Sequence, residues 1–166
     1  MTTLIIIRGN SGSGKTSVAR GLQQRFGDNT MVISQDMIRR DILKVKDGPE
    51  TLAIPLMKEL LDYGMKNCDI VILEGILFSN WYQPLFEYVA LRFDSIFAYY
   101  YDIPFEETLK RHQTKPNCKD FGVESMSRWW NERDFMEIIH EKILTEELSL
   151  NEAVDLIYEQ VCYRAK

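Results

Sequence analysis

"RGNSGSGKTSVA", residues 8–19, follows the apolar run "TLIII" and holds three glycines, a lysine and a threonine within eight positions. Each glycine gives up more backbone freedom on ordering than any other residue. Such a loop beside a hydrophobic strand therefore needs a physical reason. Gly9, Gly14, Lys15 and Thr16 fit the spacing GxxxxGK[ST], with a strand pattern before it and a helix pattern from about Lys15. In that context the glycines let successive backbone N–H groups turn inward around phosphate oxygens, and the helix start adds partial positive charge. The expected nucleotide-binding set is Gly9, Asn10, Ser11, Gly12, Ser13, Gly14, Lys15, Thr16 and Ser17. Lys15 is placed to reach the β- and γ-phosphates of ATP, and Thr16 offers its hydroxyl to Mg²⁺.

Outward from the loop, short runs that are apolar on both faces recur: "TLIIIRG" (3–9), "TMVISQD" (30–36), "DIVILEG" (69–75) and "SIFAYYYD" (95–102). Buried parallel strands read this way, because helices cover both sides of their sheet. "EKILTEE" (141–147) is a fifth, weaker candidate. Helical patterns lie between them. Val18, Leu22 and Phe26 recur every fourth residue, and Leu56, Met57, Leu60, Leu61 and Met65 form a stripe behind Pro55, which belongs in a first turn. Ser149 and Glu152 form a capping box for a last helix. Strands alternating with helices predict one doubly wound α/β domain over residues 1–166, whose ligands bind at the carboxyl ends of the strands.

Polar groups collect at that edge. Asp36 closes the second strand and is expected to serve as general base or helix cap, with Arg39 one turn on along the same face and Arg40 pointing into solvent. Glu74 ends an otherwise apolar strand, where a charge is costly unless used. It is expected near Mg²⁺ or a substrate hydroxyl, so the expected metal set is Thr16, Asp36 and Glu74. "LKRHQTKPNCK" (109–119) carries four cations and no acid, and reads as part of a basic lid at about 112–125. Arg111, Lys115 and, beyond the loop, Arg128 are the expected lid contacts to the transferring phosphoryl group. Trp129 and Trp130 cannot both face inward on one helix; one is available to stack on a base or sugar. His112 and His140 lack any pattern for metal or nucleophilic chemistry.

Composition bounds the partners. The net charge of −5 disfavours an extended nucleic-acid or acidic-membrane surface. The N-terminus does not read as a signal peptide, and no apolar run reaches bilayer length. Cys68, Cys118 and Cys162, odd in number and widely spaced, read as reduced thiols of a cytoplasmic protein. Nothing in the composition sets an oligomeric state.

"GNSGSGKTSVA", "SQD" and "ILEGIL" together resemble the P-loop kinases of small acceptors, uridine kinases among them. The Asp-x-x-Arg of Asp36 and Arg39 and the passage "ETLKRHQTKP" are similar to polynucleotide 5′-hydroxyl kinases and zeta-toxin-like kinases. The resemblance implies a P-loop NTPase fold with five parallel strands in the order 2-3-1-4-5. It also implies ATP and Mg²⁺ as cofactors, Asp36 as base, and transfer of the γ-phosphoryl group to the hydroxyl of a small, nucleoside-like acceptor. Residues 47–66 read as a turn and a helix, whereas uridine kinases carry a β-hairpin there. The alternatives are a 5′-hydroxyl, sugar or antibiotic kinase and, from another class, a nucleotide-dependent switch or ATPase.

Overall fold

The computed structural model describes residues 1–114, 118–119 and 122–164. Five parallel strands form one sheet in the expected order β2-β3-β1-β4-β5. β1 (Thr3–Gly9) is central, between β3 (Ile70–Gly75) and β4 (Ser95–Tyr101), with β2 (Thr30–Ser34) and β5 (Glu141–Leu144) at the edges. The run "LIII" is apolar throughout because both faces of β1 are covered. Leu4 and Ile6 pack with α3 (Ala53–Asn67) and α4 (Ser79–Arg92), and Ile5 and Ile7 pack with α1 (Lys15–Phe26) and α7 (Leu150–Arg164). All four are fully buried, each burial contributing about 1.5–3 kcal/mol.

Helix starts follow local chemistry. Pro55 lies in the first turn of α3, where a missing N–H costs nothing. Ser149 and Glu152 cap α7 reciprocally: the Ser149 N–H donates to Glu152 Oε2 at 2.8 Å and the Glu152 N–H to Ser149 Oγ at 3.3 Å. The second strand ends sooner than the sequence suggests. Ser34, rather than Asp36, caps the helix α2 (Gln35–Met37), its Oγ accepting from the Met37 N–H at 3.5 Å. α2 then widens into a π-helical turn, Ile38–Ile42, closed by a bond from the Leu43 N–H to the Ile38 carbonyl at 2.9 Å.

α5 (Phe105–Gln113) and α6 (Val123–Arg128) occupy the passage between β4 and β5. The region read as a lid therefore begins inside α5 and ends inside α6. Trp129 and Trp130 follow α6 rather than lie on it, so the constraint of one helix face never applies to them. Cys68, Cys118 and Cys162 are free thiols. No helix among the described residues is long and apolar enough to cross a membrane.

Candidate active site

The loop from Asn10 to Gly14 joins the central strand to α1; both of its glycines are required by conformation, and Gly12 by space as well. Gly12 has φ +82°, and a Cβ there would stand 2.6 Å from the Thr108 carbonyl oxygen on α5. Gly12→Ala is expected to destabilise the protein by about 1–3 kcal/mol and to weaken nucleotide binding, measured by thermal melting and nucleotide titration. Lys15 is buried, and its ammonium donates to the Asn10 carbonyl at 2.8 Å and to Ser13 Oγ at 3.3 Å. The cation thus lies folded over the loop's own backbone. Ser11 is half-buried, while Thr16 and Ser17 are exposed at the start of α1.

Glu74 reaches the loop from β3. It is 2% exposed, and Thr16 Oγ1 donates to its Oε1 at 3.2 Å. A hydroxyl and a carboxylate held together beside a phosphate loop fit a magnesium ion, which is commonly bound through one or two protein oxygens plus phosphates and water. Among the described residues no group of three or more His, Cys, Asp or Glu could hold a metal without such help.

Asp36 stands at the same edge of the sheet, two residues past the Ser34–Glu74 register pair. Its Oδ1 lies 3.1 Å from Arg39 Nη2 and 3.6 Å from Arg40 Nε. Arg40 is exposed, as expected, and also lies close to Asp36. Residues three and four further along a helix both neighbour its carboxylate, so the two arginines approach Asp36 together; the π-helical turn that holds them, Ile38–Ile42, is of a kind frequent at functional sites.

Beneath Asp36 lies a polar knot that sequence reading missed. Gln35, 1% exposed, donates from Nε2 to Asp47 Oδ2 at 2.9 Å and to the Tyr82 hydroxyl at 2.7 Å, and accepts at Oε1 from the Leu77 N–H at 3.1 Å. The Tyr82 hydroxyl donates to Asp47 Oδ1 at 2.6 Å, and Arg39 Nε lies 3.9 Å from Asp47 Oδ2. Burial, then the bond to Asp47, holds the Tyr82 phenol far above its usual pKa, so it stays a neutral donor. The knot fixes the backbone on either side of Asp36 and backs Arg39 with a second carboxylate.

Arg111 is held by three bonds at the phosphate loop. It donates to the Ser13 carbonyl at 2.8 Å, to Glu107 Oε1 at 3.0 Å and to the Glu146 carbonyl at 3.3 Å, with its guanidinium 5.9 Å from the centre of the Tyr101 ring. Arg111, Tyr101, Ser17, Gly14, Leu148 and Leu150 line a cavity of about 590 Å³. Arg128 is exposed on α6, and Lys115 lies outside the described residues. His112 is buried and His140 exposed.

A model of the AAA domain family matches residues 4–126, three quarters of the chain and all of the elements from β1 to α6. The chain belongs to the AAA domain family. Within this AAA domain the matched region carries the glycine loop, Asp36, Glu74 and Arg111. Solved structures share its architecture at low sequence identity. A tunicamycin resistance protein of Deinococcus radiodurans is 20% identical with a TM-score of 0.67, over 97% of this chain and 96% of that one. The APS kinase CysC of Mycobacterium tuberculosis, solved with AMPPNP and APS, is 16% identical with a TM-score of 0.69, over 96% and 97%. A gluconokinase of Sinorhizobium meliloti 1021 is 14% identical with a TM-score of 0.62, over 99% and 98%. No curated protein sequence matches the chain.

Proposed function

We propose that this AAA domain is an ATP- and magnesium-dependent kinase that transfers the γ-phosphoryl group to the hydroxyl of a small, nucleoside-like acceptor. The observation that carries the reading is one sheet edge with two equipped sides: Thr16 bonded to Glu74 at the glycine loop, and Asp36 paired with Arg39 at the end of β2. A nucleotide switch needs the first side and has no use for a preset carboxylate–guanidinium pair on the second. Two of the structures with this architecture are named kinases, of APS and of gluconate, which agrees with the reading.

The loop amides and the Lys15 ammonium bind the phosphates of ATP. Arg111, with its flat guanidinium beside Tyr101, offers the cavity of about 590 Å³ to the nucleoside end. Thr16 and Glu74 would hold a magnesium ion together with phosphate oxygens and water, and Asp36 stands at the same edge of the sheet. When bound, the ion draws charge from the phosphate oxygens as the transferring group moves. Asp36 accepts the acceptor's hydroxyl proton while that oxygen bonds to the γ-phosphorus; the bond from the γ-phosphorus to the β–γ bridging oxygen breaks, and ADP leaves. Arg39 orients the acceptor, and Arg111, Lys115 and Arg128 supply cations over the transferring group.

A γ-labelled ATP screen against nucleosides, nucleotides, 5′-hydroxyl oligonucleotides, sugars and aminoglycosides tests the assignment. Asp36→Ala should lower transfer by about 10²–10⁴-fold while leaving ATP binding largely intact. Equal loss of ATP binding in Asp36→Ala and Lys15→Ala would remove Asp36 from the role of base. Protein-stimulated ATP hydrolysis with no labelled acceptor anywhere in the screen would favour a switch.

A further inference from the structure

We propose that Asn10 is a positioning residue that couples the phosphate loop to residues 129–135 and, through Trp129, to the acceptor side. The coupling rests on the phosphotransfer reading above. The Asn10 side chain, 6% exposed, forms a two-way clasp: Nδ2 donates to the Asn131 carbonyl at 2.7 Å, and Oδ1 accepts from the Asn131 N–H at 2.9 Å. Both bonds use the backbone of Asn131, so the Asn10 amide pairs with it as another peptide group would. Two positions earlier, Arg8 donates to the Asp134 carbonyl at 2.9 Å and to its carboxylate at 2.7 Å. The Asp134 N–H in turn donates to the Tyr100 hydroxyl at 3.2 Å. Residues 131 and 134 are thereby tied to residues 10 and 8.

Two residues before Asn131, the Trp129 ring stands 6.0 Å from the Arg40 guanidinium, whose Nε is 3.6 Å from Asp36. The route from the phosphate loop thus runs by the clasp to Asn131, along the chain to Trp129, and by the ring and ion-pair contacts of Arg40 to Asp36. The Asn10 backbone belongs to the loop whose amides turn towards phosphate. Any shift there moves the side-chain amide, and a bidentate clasp passes both translation and rotation to Asn131. By reciprocity, nucleotide and acceptor would each change the other's binding by the same factor, within the roughly 5–150-fold range usual for such coupling.

Hydrogen–deuterium exchange on the full chain, with and without magnesium and AMPPNP, tests this directly. In Asn10→Ala the Asn131 amide should exchange about tenfold faster than in the unsubstituted protein. AMPPNP should alter exchange over 129–135 in the unsubstituted protein, and that response should vanish in Asn10→Ala when each protein is compared at AMPPNP concentrations that saturate it by direct titration. Asn10→Asp, which keeps the acceptor and loses the donor, should respond in between. Asn131→Ala retains both backbone bonds and should respond like the unsubstituted protein. An undiminished response in both Asn10 variants overturns the coupling, as does its loss in Asn131→Ala, or an unsubstituted protein that binds AMPPNP with no change over 129–135. Failure of the unsubstituted protein to bind AMPPNP at all would be a separate result, overturning the phosphotransfer reading and the coupling with it.

Discussion

Replacing Lys15 with alanine is expected to cut phosphoryl transfer by about 10²–10³-fold, the usual cost of removing one preorganised group aimed at developing charge. The lysine is poised for this role by burial. Its Nζ is anchored to Asn10 and Ser13 within the loop, so little side-chain freedom remains to be lost when phosphates bind. Those same bonds stay inside one short loop and tie no distant elements together. Thermal melting checks that the variant remains folded. Nucleotide titration should show weakened binding, in contrast to Asp36→Ala. Full transfer activity in a folded Lys15→Ala protein would sink the role given to the loop.

The second large effect is on stability. Arg8, the last residue before Gly9, is fully buried, with Nη1 2.9 Å from Glu141 Oε1 and Nη2 2.7 Å from Asp134 Oδ2. Its Nε and Nη2 also donate to the Leu77 carbonyl at 3.0 and 2.8 Å. One guanidinium therefore joins the central strand, the β3–α4 turn and the approach to β5. Arg8→Met leaves a buried carboxylate uncompensated and should cost about 3–5 kcal/mol, lowering the melting temperature by on the order of 10 °C. Burial already pushes the Glu141 carboxyl above its ordinary 4.5, against the opposing pull of Arg8. Without Arg8 it rises further. A group with a raised folded-state pKa contributes stability that is present below the unfolded value and lost as pH rises through the folded value. The deficit of Arg8→Met should therefore narrow as the pH falls towards 4.5. Adding Glu141→Gln should recover part of the loss at neutral pH. A melting temperature within a degree or two of the unsubstituted protein would refute this account.

Local chemistry made much of the site legible. The glycine spacing, the apolar strands on either side and the terminal Glu74 each follow from what one segment needs in order to bind phosphate or to be buried. The parallel sheet and the closeness of Thr16 to Glu74 appear in the structure, the strands in the 2-3-1-4-5 order that the family resemblance implies. Arg8 was not legible. An arginine at a strand end reads as solvent-facing, and its carboxylate partners lie 126 and 133 residues away. Gln35 and Tyr82 failed for the same reason: a glutamine beside a better base and a tyrosine inside an apolar helix have no local pattern.

The sequence by itself determined the glycine-rich turn of residues 9–17 that we propose as the phosphate ligand, because glycine spacing, a strand end and a helix start act within a few residues of one another. It also determined the covered parallel sheet, since uninterrupted apolar strands cannot face water. Only the tertiary structure decided how the loop is held. Arg8 to Glu141, Asn10 to Asn131 and Arg111 to Ser13 are bonds between segments remote in the chain. A side chain's partner across such distances is set by the packing of whole elements, and no local pattern encodes it.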